Sequence, residues 1–248
     1  MPLLYIIRLM IRRLLNFYLL DWRDYFSRKY NVILFAVLLL GVYFSLSFIS
    51  NFLSWAEYRE GYVIKDWLLT LISPVDLSVP LFVMTYSSII IGLVFSFRRP
   101  DLALLAMLTT IMIIFFRFLS IYLVPLEAPE GIIPLRDIFL ENTVYSGSTL
   151  TKDLFFSGHT ASVFSLSLIV GLKWIRFYLY LATLAVASML VVQHVHYTVD
   201  VIFAIPFSFL AVSISKMILK QITVFDYSNP YSLRLQHSVK TDSIVLAD

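Results

Sequence analysis

The sequence predicts an all-α membrane protein, with six transmembrane helices behind an N-terminal amphipathic interfacial helix and both termini cytoplasmic. Three observations carry this. Of the 248 residues, 60% are hydrophobic and 14% charged, against about half and about a quarter in a soluble domain. The apolar residues fall in runs of roughly 20, the length that crosses a hydrocarbon core of about 30 Å at about 1.5 Å per helical residue. Finally, fourteen of the nineteen Lys and Arg residues fall on segments that share one side, which the positive-inside rule makes the cytoplasm. The composition leaves no room for a large aqueous domain, and without cysteine there is no disulfide and no thiolate zinc site. Basic residues gather towards the chain ends instead of forming a stripe interleaved with aromatics, which argues against nucleic acid as a partner.

Residues 1–30 form the first element. Leu3, Leu4, Ile6, Ile7, Met10, Ile11, Leu14 and Leu15 recur at roughly helical spacing against Arg8, Arg12 and Arg13, as in a helix lying on the cytoplasmic membrane surface. A cleaved signal peptide is the alternative, but the arginines interrupt the apolar run and no small-residue cleavage site follows. Residues 31–220 form the six-helix membrane domain, with spans expected at 31–53, 79–97, 101–124, 157–172, 174–193 and 197–219. The fourth is the shortest and opens on Ser157 and Gly158, so it spans only if its first turn sits at the interface. Residues 221–248 form a polar cytoplasmic tail that includes His237. With this orientation Arg59, Lys65, Arg136 and Lys152 lie outside and Arg117 lies within the third span.

The topology brings two polar motifs to the non-cytoplasmic surface. Spans five and six join through His194-Val195-His196-Tyr197-Thr198-Val199-Asp200. His196 and Asp200 are four residues apart, hence on one helix face. A carboxylate beside one imidazole nitrogen fixes the tautomer and leaves the other as a nucleophile or base, and a carboxylate at a membrane span points to function. The alternative is an interfacial pair that caps the sixth span. The second motif, Asp153-Leu154-Phe155-Phe156-Ser157-Gly158-His159-Thr160, heads the fourth span. Gly158 leaves the amides of a helix N-terminus open to an anion, and His159 stands in the first turn, where it could protonate a leaving oxygen. The alternative is a plain Ser N-cap beside a snorkelling histidine. The histidines lie 37 residues apart with one hairpin of spans between them, so the two motifs favour a joint site. Arg117, about 12 Å below the outer end of its helix, suits bidentate phosphate binding; a structural pair with Asp200, Asp76 or Glu127 is the alternative. His194 reads as a helix-end or supporting residue.

Ser-Gly-His-Thr together with His-Tyr-Thr-x-Asp resembles the type 2 phosphatidic acid phosphatase superfamily of lipid phosphatases and phosphotransferases, and its sphingomyelin synthase branch in particular. Further support for that branch comes from Pro74-Val75-Asp76, the run Phe116-Arg117-Phe118 through Pro125-Leu126, and Asp153 four residues before Ser157. The similarity spans roughly residues 70–215. Where ordinary phosphatidic acid phosphatases carry a Ser-Arg pair, this chain has Ser188-Met189; where the synthase branch has Cys-Gly, it has Thr151-Lys152.

The resemblance implies a lipid head-group phosphotransferase with His196, Asp200 and His159 catalytic, and with Ser157, Gly158, Arg117, Asp153 and Tyr197 binding substrate. No metal or other cofactor is implied. The partners are a phospholipid donor, a lipid alcohol acceptor such as ceramide or diacylglycerol, and the bilayer; homo-oligomerisation is left open. A net acidic loop between residues 125 and 156, where Glu127, Glu130, Asp137, Glu141 and Asp153 outnumber Arg136 and Lys152, favours a choline or ethanolamine head group. The site would face the periplasm in a bacterium, or the lumen or exterior in a eukaryote. A lipid phosphodiester or phosphate hydrolase using the same residues, and a non-enzymatic membrane protein with structural histidines, are the other readings.

Overall fold

The computed structural model describes residues 22–135 and 150–223. Most of the expected surface helix (residues 1–21), the middle of the long loop (136–149) and the tail from 224 lie outside the described residues. The helices are α1 (Lys29–Ala56), α2 (Trp67–Thr70), α3 (Ser78–Ser96), α4 (Pro100–Leu123), α5 (Gly158–Ile169), α6 (Lys173–Val192) and α7 (Thr198–Ile222). All but α2 coincide with an expected span to within three residues at each end. Five of them (α1, α3, α4, α6 and α7) are long and apolar enough to cross a membrane. With 12 residues, α5 reaches only about 18 Å, part of a hydrocarbon core.

The helix ends follow from local chemistry. Pro100 occupies the first turn of α4, where its missing N–H is no loss. Asp101 in that turn pairs with Arg99 at 2.7 Å. At the other end of α4, Arg59 donates to the carbonyls of Tyr122, at 3.2 Å, and Ile121, two of the acceptors that a helix C-terminus leaves over. Ser157 caps α5, accepting from the Thr160 amide.

The short helix α5 is the hub of the bundle: α3, α4, α6 and α7 all pack on it, while α1 lies outside against α4. Close approach there depends on small residues, as in other membrane bundles. A Cβ on Gly92 of α3 would fall 2.7 Å from Leu166 Cδ1 of α5, and Ser208 of α7 donates to the Ala161 carbonyl of α5 at 3.3 Å. Outward-facing positions of α1 such as Ile33, Val37, Leu40 and Phe44 are exposed apolar side chains, as a lipid-facing surface requires.

Tryptophans and tyrosines mark both ends of the bundle, as at membrane interfaces. Trp22, Tyr30 and Trp174 lie at one end, with Arg98, Arg99, Lys173 and Arg176. At the other, Trp55, Tyr58, Tyr62, Trp67 and Tyr122 lie among Glu57, Glu60, Asp66, Glu127 and Asp153. The acidic end carries the histidine motifs. Its loops are bolted together. Tyr62 donates to the Pro125 carbonyl at 2.9 Å and accepts from the Glu127 amide at 3.0 Å. The Glu57 carboxylate accepts from the amides of Thr151 and Lys152. Lys152 Nζ reaches Glu127 at 2.8 Å and the Arg59 carbonyl at 2.6 Å. Gly61 is required at this junction, because a Cβ would fall 2.6 Å from the Leu126 carbonyl carbon.

Candidate active site

His196 and Asp200 sit where α7 begins. His196 Nδ1 lies 3.2 Å from Asp200 Oδ2, and that oxygen also accepts the Tyr197 amide at 3.0 Å. Asp200 is fully buried and His196 is 2% exposed. An ionised Asp200 makes Nδ1 the donor and leaves the ring lone pair on Nε2.

The second motif meets the first through the backbone. The Ser157 amide donates to the Asp200 carbonyl at 3.1 Å, which fixes the start of α5 against the first turn of α7. Ser157 is fully buried, and its hydroxyl accepts from the Thr160 amide at 3.4 Å, so its side chain serves as the helix cap. His159 stands in the first turn of α5 with its ring edge-on to Phe82 of α3, centroids 6.4 Å apart.

Arg117 reaches the same helix start from α4. It is 9% exposed, donates from Nε to the Phe156 carbonyl at 3.3 Å, and pairs with Asp153. The guanidinium lies against Gly158: a Cβ there would fall 2.6 Å from one terminal nitrogen and 2.7 Å from Cζ. Glycine at this position is therefore the space that admits the arginine. The partner is Asp153, where the sequence pointed to Asp200, Asp76 or Glu127 as structural partners. Asp153 thus holds Arg117, and its bond leaves the rest of the guanidinium fork beside the amides of the α5 N-terminus. One guanidinium nitrogen and the start of the α5 helix dipole thus lie together at this end of the bundle.

Tyr197, which the resemblance implied as a substrate contact, directly follows His196. It is 1% exposed; its hydroxyl donates to the Glu127 carbonyl at 3.1 Å and accepts from the Ile64 amide at 3.3 Å. It braces the turn against two loops. Within the acidic rim Glu127 is paired with Lys152, a charge already in the net count, and Asp153 with Arg117 from outside the loop; Asp137 and Glu141 lie outside the described residues. Glu127 is held below the usual carboxylate range by its bond to Lys152, burial opposing and the Gly61 amide assisting.

Gln193 and Asp66 escaped sequence reasoning as parts of this framework, whereas His194 was expected as a helix-end or supporting residue. Gln193 is fully buried; its amide group bonds the Leu77 amide, Ser78 and the Ile133 carbonyl. His194, with φ at 58°, has one ring nitrogen 3.0 Å from the Glu130 carbonyl and the other 3.0 Å from the Ile72 carbonyl, which makes it a clamp between loops. Asp66 bonds Thr198 at the head of α7 through both oxygens. Only the Gln-His pair beside a motif histidine offered a signal; the partners of all three are remote in sequence. Among the described residues no group of three or more His, Cys, Asp or Glu side chains is placed to hold a metal ion.

No curated protein and no solved structure matches the chain. Residues 152–217, the stretch from Lys152 through α5, α6 and most of α7 with both histidine motifs, match the family model described as PAP2 superfamily C-terminal, which supports the type 2 phosphatidic acid phosphatase superfamily and a lipid phosphatase or phosphotransferase type of function for this chain.

Proposed function

We propose that the protein is a lipid head-group phosphotransferase that moves a phosphocholine- or phosphoethanolamine-type group from a glycerophospholipid to ceramide or a similar lipid alcohol. The observation that carries this reading is the 3.1 Å bond from the Ser157 amide to the Asp200 carbonyl, which joins a carboxylate-oriented histidine to a helix N-terminus backed by Arg117. A nucleophile and a cradle for phosphoryl oxygens are the two things this chemistry needs.

In the first step the lone pair on His196 Nε2 attacks phosphorus, and the bond from phosphorus to the diacylglycerol oxygen breaks. His159 gives its proton to that oxygen. The positive charge growing on His196 is matched by Asp200 through Nδ1. In the second step His159 takes the proton of the acceptor hydroxyl, the alkoxide oxygen attacks phosphorus, and the phosphorus–nitrogen bond breaks. Arg117, held by Asp153, and the α5 amides stabilise the equatorial oxygens. Both termini lie in the cytoplasm and the site on the other face, with α5 as a sixth, partly crossing helix. When water replaces the lipid alcohol, the same residues make a phospholipase C-like or phosphatidic acid phosphatase-like hydrolase.

The test is product analysis with purified protein and labelled phosphatidylcholine, phosphatidylethanolamine and phosphatidic acid, each with and without ceramide or diacylglycerol. Head-group transfer to the added alcohol supports the proposal. Release of phosphocholine or phosphate unaffected by acceptor replaces it with the hydrolase reading, and no turnover of any lipid refutes both.

A further inference from the structure

Asp66 lies in the loop after α1, 130 residues from His196, and no chemistry pointed to it. Its Oδ2 accepts the Thr198 amide at 2.6 Å, and its Oδ1 accepts the Thr198 hydroxyl at 3.1 Å and the Leu68 amide at 3.0 Å. Thr198 is the first residue of α7, so the amide that Asp66 takes is one that a helix cannot satisfy internally. One carboxylate therefore caps two helices: α2 in its own chain segment, and α7 from across the loop. Two residues to either side of Thr198 stand His196 and Asp200.

We infer that Asp66 is a positioning residue for the His196–Asp200 pair, acting as a cap supplied in trans to the helix that carries it. The inference rests on the reading of His196 as nucleophile. Tyr197 has its own brace on the same loop through Ile64, so the loop grips the turn at two adjacent residues between His196 and Asp200. Burial disfavours the charge on Asp66, but bonds from Thr198, Leu69 and Leu68 outweigh it and hold the carboxyl below the usual range, so the cap is ionised throughout the neutral range. A negative cap at this N-terminus also complements the helix dipole. Without it the first turn of α7 loses an acceptor for its leading amide, and the ring–carboxylate geometry loosens. A misplacement of about 1 Å at a reacting group lowers turnover by up to about 100-fold.

The experiment compares full-length wild type, Asp66→Ala and Asp66→Asn in detergent or nanodiscs. Asp66→Ala should lower kcat by about 10- to 100-fold with KM within twofold, because both Asp66 oxygens are engaged by Thr198 and Leu68. Asp66→Asn keeps an oxygen acceptor for Thr198 and should recover kcat to within about threefold of wild type. Wild-type kcat in Asp66→Ala, or an Asn variant no better than Ala, overturns the inference, as does a loss carried in KM alone. A second readout is independent of turnover: hydrogen exchange at the amides of residues 198–201 should quicken in Asp66→Ala and stay slow in Asp66→Asn. If wild type turns over no lipid substrate, the functional reading falls, and the exchange arm alone decides the cap; unchanged protection in Asp66→Ala refutes it.

Discussion

Replacing Gly158 with alanine tests how the site is assembled. The new Cβ would lie 2.6, 2.7 and 3.0 Å from three guanidinium atoms of Arg117, inside an ordinary contact distance of about 3.5 Å. The arginine cannot yield freely, since it is bonded to the Phe156 carbonyl and to Asp153. Three effects compete. Alanine is the better helix former by up to about 1 kcal/mol, less in a first turn. Overpacking costs about 1–3 kcal/mol. Loosening the Arg117–Asp153 pair adds about 1 kcal/mol, discounted because the Asp153 side chain is 27% exposed and partly screened. Destabilisation wins by about 2 kcal/mol, and a guanidinium displaced by about 1 Å should lower kcat/KM by about 100-fold. The assay is a double-mutant cycle with Arg117→Ala, read by equilibrium unfolding and by turnover. Without the guanidinium there is nothing to clash with, so Gly158→Ala should be neutral or slightly stabilising in that background. An equal cost in both backgrounds, or no cost in wild type, would mean that Gly158 does not make room for Arg117.

Ser157→Ala removes a cap whose bond is long at 3.4 Å; it should cost only about 0.5 kcal/mol of stability and less than tenfold in kcat, measured by thermal unfolding and initial rates. Glu127 and Asp66 both have folded carboxyls below their ordinary range, so their contribution is fully present above about pH 4.5 and is lost as pH falls through the lowered folded values. The Tm should be flat from about pH 7 to 5 and fall below about pH 4, less steeply in Glu127→Gln; a Tm that rises on acidification would contradict this. Because the chain has no cysteine, single introduced thiols report topology cleanly: Tyr62→Cys should label with an impermeant maleimide in intact cells and Lys173→Cys only after permeabilisation, and the opposite pattern would invert the orientation.

The helices were legible because membrane physics writes them plainly. Length and apolarity mark α1, α3, α4, α6 and α7, and Ser157 marks the start of the short α5 as its cap. His196 and Asp200 could be paired from a spacing of four alone. Contacts between remote loops were another matter. Arg117 was identified as a charge in need of a partner, but nothing in the order of residues distinguishes Asp153 from Asp76, Glu127 or Asp200. That choice depends on how the chain before Ser157 crosses the end of α4. The same holds for Asp66 and Thr198, 132 residues apart, and for Glu127 and Lys152, which pair across the loop. Tyr197 was named as a substrate contact only through the family resemblance, and the partners of its buried hydroxyl, the Glu127 carbonyl and the Ile64 amide, are remote in sequence.

Phosphorus carried by His196 can be trapped and located directly. A phospholipid labelled in its phosphate, quenched during turnover and mapped by peptide under conditions that preserve acid-labile phosphohistidine, should place the label on His196. The label should be absent in His196→Ala and strongly reduced in Asp200→Asn. His159→Ala should still accumulate label from a nitrophenyl phosphodiester, whose leaving group needs no protonation. Label on His159 in the wild-type protein, with His196→Ala still labelled, would contradict the account.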